Sequence, residues 1–269
     1  MITLAEKLLL ATNKSKPYVE FVSSTAMKIT PKYTNTGVTL QYSLNGSTWT
    51  TIVSGATTPS ANIIYFRGQA TGTKSLYNST TTTNAWTFTG VTNLECNGKL
   101  DRLLQDTLGS DDDVLTIGNY CFCNMFYTRT SLISVDNDCL PATTLATDCY
   151  RDMFRSCTSL TTAPALPATT LVSTCYANMF QGCTSLTTAP ALPATTLVST
   201  CYYGMFQGCT SLKISTTMTG IYDTAYRIPK TGTGTTATNA LANMFLSTGG
   251  TFTGTPTINT TYYTENTPV

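Results

Sequence analysis

The chain has 269 residues, 41% apolar and only 11% charged, with a net charge of +1 and no histidine. Charge so far below the roughly 25% of ordinary globular proteins excludes a nucleic-acid or anionic-membrane surface, because counterion release needs many Lys and Arg along one face. The missing histidine removes Ser-His-Asp and Cys-His nucleophiles, HExxH metal sites and the usual proton shuttle, and no apolar run reaches the roughly 18 residues of a membrane span.

Residues 1–15 read as a short helix, with Leu4, Leu8 and Leu9 near helical spacing and Thr3 with Glu6 as a capping box. A helix of that length is marginal alone and must dock. Glu6 and Lys7 interrupt the apolar stretch a secretion signal needs, so synthesis and folding in a cytoplasm is expected. Residues 17–90 read as strands. Val38, Leu40, Tyr42 and Leu44 alternate with polar residues, Asn45-Gly46 signals a hairpin, and Trp49, Ile52 and Val53 lie in the return strand. Ile63–Phe66 predicts a central strand, and Trp86 and Phe88 start another run that Gly90 ends. Val19–Phe21 and Met27–Ile29 predict further edges. The sum is a small antiparallel β-sandwich over residues 1–91, with residues 55–59 and the Thr-rich, mobile segment 71–84 as loops.

Leu94, Leu100, Leu103, Leu104 and Leu108 predict an amphipathic helix that ends at Gly109 and caps the first repeat unit. Asp111, Asp112 and Asp113 form the only acidic run. A calcium loop needs further oxygen ligands at fixed spacing and a distal Glu, so the run reads as a solvated turn.

From residue 119 the chain repeats. Residues 157–176 and 183–202 carry the same twenty letters, CTSLTTAPALPATTLVSTCY, and Met153-Phe154, Met179-Phe180 and Met205-Phe206 recur every 26 residues. Met125-Phe126 lies 28 residues before the first pair, and Met244-Phe245 lies 39 after the last, behind an insertion. Identical copies at a fixed offset predict stacked units that need caps at both ends. Cys175, Met179, Phe180 and Cys183 stand at i, i+4, i+5 and i+8, which predicts a helical face ended by Gly182. SLTTAPALP predicts an extended segment with Leu186 and Leu192 inward, and Pro164 and Pro190 limit any strand there to three or four residues. Leu94–Leu108 is the expected first cap. Met218–Tyr226 with the worn copy Ala240–Phe245 is the expected second, and the tail Thr251–Val269 offers Phe252, Ile258, Tyr262 and Tyr263 for a last strand or for contact with a partner.

Seven of the ten cysteines fall in the register of the repeats. Cys121, Cys149, Cys175 and Cys201 share one position; Cys157, Cys183 and Cys209 share another, where the first unit has Arg129. They read as small buried hydrophobes and reduced thiols, because side chains of parallel neighbours point the wrong way for a disulfide. Cys96, Cys123 and Cys139 fall outside the register, and the Cys121-x-Cys123 spacing is not that of a zinc site. The TGTGT at 231–235 lacks the strand and lysine of a nucleotide loop. Asp136, Asp138, Asp148 and Asp152 are the densest carboxylates near the repeats, and a glycosidase needs only two; they read as solvated loop charges. No catalytic, cofactor-binding or metal-ligating residue is assigned. Tyr150, Tyr176, Tyr202 and Tyr203 follow or flank the first repeat cysteine and are the candidate ligand contacts, by stacking on sugar rings. Packing against the neighbouring unit is the other reading, since large aromatic side chains usually bury.

The repeat text C-Y-x-x-M-F-x-x-C-T-S-L followed by L-P-A-T-T-L stands here as Cys149–Leu160 with Leu166–Leu171, Cys175–Leu186 with Leu192–Leu197, and Cys201–Leu212. It resembles the BspA-type leucine-rich repeats, in the variety found in gut Bacteroidetes surface proteins and in the tailed phages that infect them. Tyr65-Phe66-Arg67-Gly68 and the segment 251–261 resemble the flanks of that group. The resemblance covers residues 119–212 and implies a right-handed solenoid with a parallel sheet on one side. It also implies adhesion, host recognition or virion decoration, with no shared catalytic residues. Arg129, the 28-residue first step and the interrupted last unit depart from the pattern and leave the ends open.

The expected fold is thus mixed α/β, mainly β: a β-sandwich attachment domain over 1–91, then a leucine-rich-repeat solenoid with end caps over 92–269. The expected function is that of a non-enzymatic structural or adhesive protein on a virion surface, as a phage fibre, head decoration or receptor-binding subunit. Its expected partners are other virion proteins and a host surface glycan or protein, and it is expected to form a non-covalent homo-oligomer without cofactor, metal or nucleic acid. A secreted adhesin on a bacterial cell surface and a carbohydrate-active enzyme are the alternatives.

Overall fold

The computed structural model describes residues 16–229, 237–258 and 260–269. The helix expected over 1–15 and the TGTGT at 231–235 lie outside the described residues.

Alternation of apolar and polar residues builds the first sheet. Its strands are β1 (Val19–Thr30), β2 (Val38–Ser43), β3 (Thr50–Ile52), β4 (Ala61–Ala70), β5 (Thr87–Thr89), β6 (Leu94–Asn97) and β7 (Leu132–Val135). The order is β3-β2-β4-β1-β6-β7, with β5 on the far half of β1. The antiparallel pairing expected over 17–90 is present, and the hairpin at Asn45-Gly46 sets Leu40 opposite Ile52. Asn45 holds that turn by accepting the Ser47 and Thr48 amides on Oδ1 at 3.0 and 2.8 Å. Strand β1 shifts register between Val22 and Met27. Ser23 satisfies the irregular stretch there, its Oγ donating to the Thr92 carbonyl and accepting the Thr25 amide. Beyond this bulge Met27 of β1 still pairs with Ala61 of β4, while Lys28–Thr30 pair with β5 on the edge that β6 holds earlier in the strand.

One face of this sheet is apolar, with Val19, Phe21, Leu40, Ile64 and Phe66 buried. Phe21 is its centre, with ring centroids 5.9 Å from Phe66 and Trp86, 5.4 Å from Phe88 and 6.2 Å from Phe126. Phe126 belongs to the first repeat unit, so one core runs from the sheet into the repeats. The sheet itself continues past residue 91, because β6 and β7 pair in parallel within it.

Segment 71–84, expected as a mobile loop, lies along the first repeat unit and is the cap. The Leu76 amide donates to the Cys121 carbonyl, Trp86 to Met125, and Gly118 to Lys74. Ser75 Oγ donates to the Asn119 carbonyl at 2.7 Å. The helix expected over Leu94–Leu108 does not form. Leu94, Leu100, Leu103 and Leu104 are buried as predicted, but strand β6 and a single 3-10 turn, Leu100–Leu103, carry them. Gly98 separates the two at φ 87°, where an added Cβ would meet the Tyr18 carbonyl oxygen at 3.0 Å.

The leucine-rich-repeat solenoid, and with it the mixed α/β class, is not the fold. Among the described residues, helix is confined to two 3-10 turns of three and four residues. The Met-Phe segments are chains of turns. Tyr120, Asn124 and Thr128 have φ of 60°, 61° and 58°, and the same left-handed position recurs at Asp148, Asp152 and Ser156 and again at Thr174, Asn178 and Gly182. A left-handed residue at every fourth place ends any helix before it starts. Amide donors then alternate. Cys123, Met125 and Tyr127 donate three residues back within their own unit, while Tyr120, Phe122, Asn124, Phe126 and Thr128 donate to Thr147, Cys149, Arg151, Met153 and Arg155 of the next. The pattern repeats through Gly208, which donates to Leu246 in the worn last copy. Among the described residues no parallel sheet runs down the side. Parallel pairing among them is limited to β6 with β7, bridges at Gln69–Gln105, Thr116–Thr144 and Thr162–Thr188, and one pair at the far end. Pro164 and Pro190, without an amide proton, follow the bridged threonines and stop the ladder.

A second sheet closes the far end: β8 (Lys213–Ser215), β9 (Thr224–Arg227), β10 (Gly249–Gly250) and β11 (Thr261–Thr264), in the order β10-β8-β11-β9. Tyr226 of β9 is buried and its hydroxyl donates to the Pro190 carbonyl at 2.9 Å. Val269 exchanges backbone hydrogen bonds with Ala189 and Ala191, beside the last copy of SLTTAP. No helix among the described residues is long and apolar enough to cross a membrane.

Candidate functional site

The repeat geometry decides where each candidate side chain goes. Phe126, Phe154, Phe180, Phe206 and Phe245 stack at 5.5–5.9 Å with planes within 4–9°. A second column holds Phe122, Tyr150, Tyr176 and Tyr202, at 6.0, 5.7 and 5.8 Å. Tyr150, Tyr176 and Tyr202 are each 1% exposed, so these three are spine residues and not ligand contacts. Burial pushes their phenols well above the ordinary value. Tyr203 alone reaches the surface, half-buried, with its hydroxyl 3.5 Å from Asn243 Nδ2.

The thiols complete the spine. Cys157, Cys183 and Cys209 donate to the carbonyls of Phe126, Phe154 and Phe180, one unit back, at 3.1, 3.0 and 3.0 Å. Those carbonyls already accept an amide from Arg129, Cys157 and Cys183; the thiol takes the second lone pair. Arg129 departs from the pattern for the same reason. No repeat precedes it, and its guanidinium reaches instead to the carbonyls of Trp86 and Phe88 at 3.1 and 3.3 Å. All ten cysteines are free and buried. Burial raises Cys149 and Cys183 to about 12 and Cys201 to about 11, which leaves no thiolate for nucleophilic work at neutral pH. Among the described residues no group of three His, Cys, Asp or Glu is placed to hold a metal ion.

The carboxylates are locally engaged. Asp136 accepts the Gly98 amide at 2.6 Å, and Asp138 faces Lys99 at 3.7 Å. Asp148 and Asp152 flank Arg151 at 3.4 and 3.2 Å. The acidic run read as a solvated turn is partly structural. Asp113 joins Lys99 and the fully buried Arg102, which also pairs with buried Asp101 at 2.9 Å. Burial outweighs that pairing and holds the Asp101 carboxyl at about 6.

The outer side of the repeats carries a periodic set of polar contacts. Thr184 and Thr210 donate from Oγ1 to the carbonyls of Thr158 and Thr184, Thr187 does the same to Thr161, and Gln181 bonds Gln207 at 2.7 Å. At the capped end of the stack lies an open cleft of about 450 Å³, whose walls include Asn35, Thr36, Thr73, Asn78, Asn119 and Tyr120. Sequence reading missed it, because its residues come from three separate segments. Asn35 joins two of them: its Nδ2 donates to the carbonyls of Thr73 and Ser75 at 3.2 and 2.8 Å, and its Oδ1 accepts the Gly37 amide. Asn78 Nδ2 donates to the Thr34 carbonyl, and Asn119 Oδ1 accepts the Thr147 amide. No lining residue carries a charge.

No family model, curated protein or solved structure matches the chain.

Proposed function

We propose that the chain is a non-enzymatic structural and adhesive protein of a virion surface, where it contacts other virion proteins and a glycan or protein of the host. One observation carries the reading. The reactive side chains of the repeats form an interior spine, and the exterior repeats hydroxyls and amides at one-unit spacing with little charge. Such a surface suits contact over an area more than chemistry at a point. The likeness of the repeat text to phage and Bacteroidetes surface proteins supports the location.

Immunogold labelling of phage particles and of host cells tests it. Label is expected on particles; label on the bacterial envelope with bare particles would favour a cell-surface adhesin and overturn the virion assignment. The purified chain is expected to bind host cells without releasing reducing sugar from their polysaccharides, and sugar release would make it an enzyme. Self-association is part of the proposal, so a monomer by light scattering at micromolar concentration would count against it.

A further inference from the structure

We infer that the cleft at the capped end of the repeats binds an uncharged pyranose unit of a saccharide. The inference rests on the reading of the chain as a recognition protein and adds a site and a ligand class. Its first support is a conformational outlier. Tyr120 has φ 60°, a left-handed backbone that bulky side chains adopt only at a cost. The equivalent left-handed residues of the later units are Asp148, Thr174, Thr200 and Asn239, all short and polar. The one aromatic residue in the series is the one that lines the cleft.

The second support is the chemistry of the walls. The volume of about 450 Å³ falls in the range of small-molecule sites. The hydrogen bonds that build the cleft occupy Asn35, Asn78 Nδ2 and Asn119 Oδ1. They leave Asn78 Oδ1, Asn119 Nδ2 and the hydroxyls of Thr36, Thr73 and Tyr120 without a protein partner. These donors and acceptors share the walls with two aromatic residues, Tyr120 and the more deeply buried Tyr77. A sugar presents hydroxyls of both kinds around an apolar C–H face, which matches that arrangement. A carboxylate or ammonium would meet no countercharge among the lining residues and would lose hydration. The ligand class is therefore neutral.

Calorimetric titration of the intact chain with the methyl glycosides of glucose, galactose and mannose tests the site, with glucuronate and glucosamine as charged comparators. At least one neutral glycoside is expected to bind, and more tightly than either comparator. Tyr120→Asn places in the first unit the residue found at position 239, keeps a side chain suited to the left-handed backbone, and is expected to weaken binding at least about tenfold without lowering the melting temperature. Tyr120→Phe, which keeps the ring, is expected to retain most of the affinity. The proposal is overturned if no neutral glycoside binds, if a charged one binds more tightly, or if Tyr120→Asn binds as the wild type does. Host-cell binding by the same variants separates the two levels. Cell binding without glycoside binding would sink the cleft and leave the adhesive reading intact; loss of both in the wild type would sink both.

Discussion

A left-handed residue at every fourth position sets the conformation of the repeats. Most of these are Asn, Asp or Gly, which tolerate the geometry. Thr174 and Thr200 are β-branched there, at φ 58° and 53°, and are strained. Thr174→Asn is therefore expected to stabilise the chain by about 0.5–1 kcal/mol, read as a higher urea midpoint at unchanged slope; an unchanged or lower midpoint would show that Thr174 carries no strain. The second lone pair of each Phe carbonyl explains Cys at its position, and the missing preceding unit explains Arg129. Arg129→Cys restores the repeat consensus yet leaves the carbonyls of Trp86 and Phe88 without their donor. It is expected to cost about 1–2 kcal/mol, and a neutral or stabilising result would show that the guanidinium is dispensable.

At the scale of the element, a unit has no structure of its own. Half the amides of each Met-Phe segment bond within the unit and half to the next one, so stability is shared between neighbours. Because the copies are identical, deleting residues 157–182 joins Ser156 to Cys183 without changing any local sequence. The shortened chain is expected to fold, with a urea slope lower by about a tenth, since the slope follows the surface exposed on unfolding. An aggregated or unfolded product would mean that the units act as one indivisible block. The caps obey the same logic. The segment 74–86 offers the first unit the backbone partners that a preceding unit would, which is why that polar loop is ordered and why the leucines of 94–108 are not needed as a cap.

Across the whole molecule, ten buried thiols couple stability to alkali. An ordinary thiol ionises near 9, whereas burial holds Cys149 and Cys183 neutral up to about 12. Above pH 9 the unfolded chain loses protons that the folded chain keeps. The stabilising contribution is thus full below pH 9 and is lost as pH rises towards the folded values. Each thiol contributes a slope of about 1.4 kcal/mol per pH unit, and a domain holds only about 5–15 kcal/mol in total. Cooperative unfolding is expected within about two pH units above 9, followed by circular dichroism, with all ten thiols becoming reactive to a disulfide reagent in the same transition. A native spectrum retained at pH 12 would contradict the burial of the thiols. The continuous core from Phe21 to Phe245 implies that both sheets unfold in that single step.

The amino-acid sequence by itself determined the period, the inward columns of Cys, Met and Phe, the reduced state of the thiols and the strands around Val38–Phe66. These arise from hydrophobic pattern and turn chemistry, which are local. It misled on the Met-Phe segments, because buried residues at i, i+4, i+5 and i+8 fit a chain of four-residue turns as well as a helix of 3.6 residues per turn. Only the tertiary structure decided between them, since every second amide there finds its acceptor in the next unit. It alone also turned Tyr150, Tyr176 and Tyr202 inward, made segment 74–86 a cap, and brought Asn35, Asn78 and Tyr120 to one cleft. Those outcomes depend on partners distant along the chain, and a linear pattern carries no record of such partners.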